Sequence, residues 1–128
     1  RNIQVWIHVY VVCRETEKEA KDYADYYIVE KGDNVAVNNL LEIFEMQSET
    51  LSSDVLNEFR RHFIGGHGGY PLIGTPEQIV DGMNDLIKMG INGILISWVD
   101  YKTECQQWID DVMPLMEQNG QRESKPSL

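Results

Sequence analysis

Apolar and polar positions alternate at the start of the chain. In "IQVWIHVYVV", residues 3 to 12, Ile3, Val5, Ile7, Val9 and Val11 fall on one side. Gln4, Trp6, His8, Tyr10 and Val12 fall on the other. β-Branched residues at a period of two predict a strand. Its second side is large and part polar, which predicts a neighbour other than a plain aliphatic layer. The spacing then changes. Thr16 is a good N-cap, Glu17 and Glu19 suit the first turn, and Ala20, Tyr23, Ala24 and Tyr27 recur at helical intervals up to Gly32.

Residues 33 to 64 read as two short helices. The first carries Leu40, Leu41, Phe44 and Met46; the second, capped by Ser53 or Asp54, carries Val55, Leu56, Phe59 and Phe63. An excursion of this length between regular units often serves as a lid or binding loop. "GGHGG", residues 65 to 69, follows and reads as a flexible connection. Next comes "YPLI", a short strand ended by Gly74. Thr75 at the N-cap, Pro76 at the first helical position and Gln78 at the third form a capping box. The helix carries Ile79, Met83, Leu86 and Ile87 on one stripe and stops at Gly90. Ile94 to Val99 are apolar except Ser97, which predicts a strand covered on both faces. A last helix from about Glu104 to Gln118 contains Pro114, which should kink it. The order β-α-insert-β-α-β-α predicts an α/β fold with a parallel sheet, whose ligands sit at the carboxyl ends of the strands.

Composition narrows the classes. The 128 residues suit one domain, and the net charge of -10 opposes binding to nucleic acid or to anionic membranes. No run approaches the length of a membrane helix, and "RNIQVWIHVY" lacks the features of a secretory signal. The chain opens on Arg1 and enters a strand pattern by Ile3, which suggests a fragment of a longer protein. Cys13 and Cys105 are two isolated thiols, neither a disulfide framework nor a metal site, and a cytoplasmic setting suits them. The tail from 119 to 128 is polar and should fray.

"GGYPLIGTPEQIVDGMNDLIKMGINGILISWVDY" followed by "VMPLMEQNGQR" resembles the C-terminal part of the bacterial luciferase-like, flavin-dependent monooxygenases. "GYPLIGT" and "SWVDY" are most similar to the dimethylsulfone and pyrimidine monooxygenase subgroup. The match covers about the last half of the chain; "VWIHVYVVCRETEKEAKDYA" is compatible and less specific. The resemblance implies parallel β/α units like the last three strands of a TIM (β/α)8 barrel, strands six, seven and eight, with a helical insert before the second. The whole chain would be one partial-barrel domain, with the insert and glycine loop at 33 to 69 and the tail at 119 to 128. It implies reduced FMN, or alternatively a deazaflavin, with O2 as co-substrate, a small organic substrate, a flavin reductase supplying reduced FMN, and self-association of open sheet edges. A non-catalytic flavin-binding or structural fragment is the competing reading.

Each candidate residue has two readings. His67 is either a polar group at the tip of a lid, with a catalytic role, or an exposed histidine on a hinge. Asp100 and Tyr101 either hydrogen-bond flavin or substrate, or Asp100 only caps the next helix. Trp98 is either a flat apolar wall of the pocket or core, and Ser97, the one polar residue of its run, either points into the barrel toward the cofactor or does not. Gly74 and Thr75 either offer amides to a phosphate or form a plain cap. His8 and Trp6 either approach the pocket or are satisfied in the core, and Arg14 either pairs with an anion or is solvated.

Overall fold

Three strands form one parallel sheet in the order β2-β1-β3 in the computed structural model, which describes residues 2–46, 49, 51–124 and 126. β1 (Trp6–Cys13) is central. Its second half pairs with β2 (Tyr70–Gly74), from Val9 opposite Tyr70 to Cys13 opposite Gly74. Its first half pairs with β3 (Gly93–Ser97), from Trp6 opposite Gly93 to Tyr10 opposite Ser97. The α/β class and the parallel pairing match expectation. Consecutive barrel strands six to eight would instead put β2 in the middle. Pro71 explains why β2 is an edge: it has no N–H to give a second neighbour. β1 is the longer strand, and Val9 to Cys13 are all buried.

The β1-to-β2 and β2-to-β3 crossovers run in opposite directions along the sheet, so right-handed connections place their helices on opposite faces. α1 (Glu17–Asp25) lies on one side, capped by a Thr16–Glu19 box and continued by a π-helical turn (Tyr26–Glu30). There Ala20, Ala24 and Ile28 pack on Tyr10 and Val12. α4 (Pro76–Lys88) lies on the other, with Ile79, Val80, Met83 and Leu86 packed on Val9, Val11 and Leu72. α4 has the expected Thr75–Gln78 box, but Ile87 is exposed and Val80 takes its place in the core. β3 is not covered on both faces: Leu95 is 59% exposed, because α1 reaches only the β1–β2 side of its face.

The last helix begins earlier than expected. α5 (Tyr101–Gln107) is followed by a π-helical turn (Trp108–Val112) and α6 (Met113–Gln118), with Pro114 near the start of α6. Trp108 and Val112 join the α4 core. The tail is tied down at Gln121, whose amide donates to Val80 O at 2.9 Å and Asn84 Oδ1 at 2.7 Å. Arg1 and residues 125, 127 and 128 of the expected tail lie outside the described residues. No helix among the described residues is long and apolar enough to cross a membrane.

The insert contains α2 (Asn34–Ile43) and α3 (Ser53–Gly66), capped by Asp33 and by Ser52 rather than Ser53 or Asp54. Two of the presumed loop glycines are helical. A Cβ on Gly66 would stand 2.2 Å from Cβ of Tyr10, and one on Gly65 3.0 Å from the Tyr10 ring. The glycines let the end of α3 rest directly on the aromatic side chain of the central strand. The turn itself is made by His67 and Gly68 at φ 54 and 82.

Candidate functional site at the carboxyl ends of β1 and β3

β1 and β3 are neighbours, but the chain leaves them toward opposite faces, to α1 and to α5. That divergence opens a crevice where ligands of open α/β sheets collect. It measures about 710 Å3 and is lined by Arg14, Glu15, Glu19 and Tyr23 from one side and Asp100, Thr103, Glu104 and Gln107 from the other. Glu104 is its buried centre, 6% exposed. One carboxylate oxygen accepts from Arg14 Nη1 at 3.0 Å, the other from the Asp100 amide at 2.8 Å. Arg14 also donates to Cys13 O at 2.7 Å and lies 4.1 Å above the Tyr23 ring. This ion pair ties the two strand ends together. Burial first, and then the negative charge of Asp111, push the Cys13 thiol up to about 11.

The expected site residues divide between places. Asp100 caps α5, accepting from the amides of Lys102 and Thr103 at 3.1 and 3.4 Å. The Thr103 hydroxyl and amide hold its carboxyl below the usual range. Tyr101 is exposed and stands edge-on to Trp98, ring centres 5.5 Å apart. Trp98 packs against the α4 core and edge-on to Trp108 at 6.0 Å. Gly74 and Thr75 begin α4: the Gln78 side chain accepts from the Thr75 amide at 3.0 Å and Thr75 Oγ1 from the Gln78 amide at 3.4 Å. His67 is exposed at the end of α3 and lines a separate groove.

Ser97 faces the other way, into a second polar group. Ser97 Oγ lies 2.9 Å from His8 Nε2 and 3.4 Å from Val9 O. The arrangement that satisfies both gives the hydroxyl proton to Val9 O and the ring proton to Nε2. Nδ1 is then an acceptor beside Gly69, where a Cβ would stand 2.8 Å away. Trp6, 54% exposed, and Leu95 flank this pair on the same, half-uncovered face. The clue in the sequence was that His8 and Ser97 are polar residues in otherwise apolar strands. Their 89-residue separation concealed the pairing.

No family model matches the chain. It is 22% identical over 130 residues to sulfoquinovose monooxygenase of Agrobacterium fabrum, covering 91% of this chain and 34% of that protein. It is 24% identical over 120 residues to the FMNH2-dependent dimethylsulfone monooxygenase of Pseudomonas fluorescens, covering 90% and 33%. These similarities support the expected resemblance to the luciferase-like, flavin-dependent monooxygenases. It spans about a third of the length of these relatives. Two solved TIM-barrel enzymes share its fold over 98% of its length at TM-score 0.71. They are a riboflavin lyase solved with modified FMN and riboflavin, 16% identical, and DmoA from Hyphomicrobium sulfonivorans, 15% identical; this chain covers 33% and 32% of them.

FMN has a flat ring and a phosphate, and the two ends fare differently against these residues. The phosphate end does not fit. The crevice presents Glu15, Glu19, Asp100 and Glu104 against one arginine already paired. At the start of α4, Gln78 and Thr75 occupy each other's amides and Pro76 has none. The ring end fits better elsewhere: the Trp6–Leu95 face, toward the amino ends of β1 and β3, is apolar, open and carries one hydrogen-bonded polar pair.

Proposed function

We propose that this chain is part of a flavin-dependent monooxygenase that uses reduced FMN and O2 to oxygenate a small organic substrate of the sulfone, sulfonate or pyrimidine type. The observation that carries this reading is the identity of 22% and 24% to two monooxygenases across nine-tenths of the chain. One of them is named for reduced FMN, which favours FMN over a deazaflavin. A bound flavin would supply the redox chemistry. This chain would supply one wall for its ring: Trp6 and Leu95 exclude water, Ser97 holds His8, and His8 Nδ1 accepts a proton or hydrogen bond from ring or substrate. The phosphate would be held by residues outside this chain. A flavin reductase, a cytoplasmic setting and self-association belong to the same proposal, as does a single partial-barrel domain. Asp100, Tyr101 and Trp98 would act from beyond the carboxyl end of β3, and His67 from the insert.

The second reading is a self-associating fragment without catalysis. The free edge of β3 favours it, since residues 93 to 99 carry no charge or proline to discourage pairing with another strand.

The test is a fluorescence titration of the chain against riboflavin and FMN. The proposal expects saturable binding of both, with riboflavin at least as tight and the FMN affinity rising with salt, because the phosphate meets an acidic edge. His8→Ala should weaken both equally. Absence of flavin binding together with a concentration-dependent oligomer would replace this reading with the second.

A further inference from the structure

The insert builds a cavity of its own, and of the residues named in the flavin reading it contains only His67. A groove of about 480 Å3 runs between the π-helical turn after α1, α2 and α3, and it shares no lining residue with the carboxyl-end crevice. Its floor is apolar: Ala36, Val37, Leu40, Phe63 and Ile64. That size and lining are those of small-molecule sites. The wall is fixed by unusual backbone. The turn Tyr26–Glu30 is π-helical, a form concentrated at functional sites, and it ends with Lys31 N–H donating to Tyr26 O at 3.1 Å. The Tyr27 hydroxyl, on the groove wall, donates to the Gly65 carbonyl at 2.8 Å. Phe63 is held by stacking on Phe44 at 5.9 Å.

The rim is charged on one side. Lys31 has no carboxylate partner among the described residues; its ammonium lies 5.6 Å from the Tyr26 ring centre. His67 stands on the same rim, placed there by its left-handed backbone at φ 54. Asp33 also lines the groove, but its carboxylate caps α2, accepting from the Ala36 amide at 2.9 Å, where the helix dipole offsets its charge. Lys31 is therefore the cation on this rim that no described carboxylate pairs, over an apolar floor. We propose that this groove binds a small organic carboxylate, its apolar body on Val37, Leu40 and Phe63 and its carboxylate between Lys31 and His67. The insert is then a ligand-binding element in its own right, and His67 its anion-facing tip.

Three probes with one body and different heads test this: octanoate, octanol and octylammonium, each titrated while the backbone amide signals of Lys31, Ala36 and His67 are followed by NMR. Octanoate should bind about threefold to fivefold tighter than octanol, the range of one part-exposed charge contact, and octylammonium weaker than either. Lys31→Gln should remove the advantage of octanoate and leave octanol unchanged. His67→Asn, which tolerates the left-handed backbone, should reduce the advantage without loss of fold. Octylammonium binding as well as octanoate, an advantage that survives Lys31→Gln, or no binding by any probe would each overturn the proposal.

Discussion

Gly66→Ala sets two physical rules against each other. Gly66 is the last residue of α3, and its φ is not in the left-handed region. Helix propensity alone says that alanine should stabilise by about 1 kcal/mol. The packing says the reverse. The new methyl carbon would sit 2.2, 2.3 and 2.5 Å from Cβ, Cγ and Cδ1 of Tyr10. Tyr10 is 3% exposed in the central strand, and its Cβ is fixed to the β1 backbone, so the ring cannot swing aside cheaply. Overpacking of this kind costs up to about 3 kcal/mol. The balance is a loss of about 2 kcal/mol, or a fall of about 7 °C in Tm for a chain of this length. Gly82→Ala, inside α4, is the control: its propensity gain is at least as large, and its one close neighbour is the far end of the Leu72 side chain, Cδ2 at 2.8 Å. Urea unfolding followed by far-UV circular dichroism reads both. A Gly66→Ala variant as stable as the parent, at unchanged m-value, would refute the claim that α3 rests on Tyr10.

Other outcomes follow from the same structure. Glu104→Ala should cost about 2–3 kcal/mol, below the full loss for a buried pair because Arg14 keeps some contact with water; Glu104→Gln should cost less, and thermal unfolding compares them. A thiol reagent should modify Cys105 in the folded chain and reach Cys13 only on unfolding, since Cys13 is buried and its thiol is pushed up to about 11. Burial pushes the Tyr10 phenol up to about 12 from 10.0 and raises Tyr27 as well. These raised phenols contribute stability that is fully present below pH 10 and is lost as pH climbs toward 12. Ultraviolet titration at pH 11 should find two tyrosines still protonated, and Tyr10→Phe should flatten the alkaline loss of stability.

Local signals were legible along the chain. The Thr75–Gln78 and Thr16–Glu19 regions declared their helices because a capping box is complete within four residues. Asp100 as a cap and Trp98 as core were among the readings that the residues allowed. Strand order was harder, because it depends on which strand tolerates an open side. Pro71 held that information, yet a four-residue apolar run conceals it. The glycines of "GGHGG" were misread for a physical reason: glycine signals freedom when seen alone, but here it marks a place where Tyr10 leaves no room for a side chain. The His8–Ser97 and Arg14–Glu104 pairs join residues 89 and 90 positions apart, and only the pairing of β1 with β3 brings them together.

Backbone and indole NMR shifts during a riboflavin titration test the central claim most directly, that the open face of β1 and β3 carries a flavin wall. The account predicts that signals of Trp6, His8, Gly69, Leu95 and Ser97 move together along one saturable curve, while those of the α4 amino end stay fixed. Shifts confined to Gly74, Thr75 and Glu77, or to the groove of the insert, would contradict it.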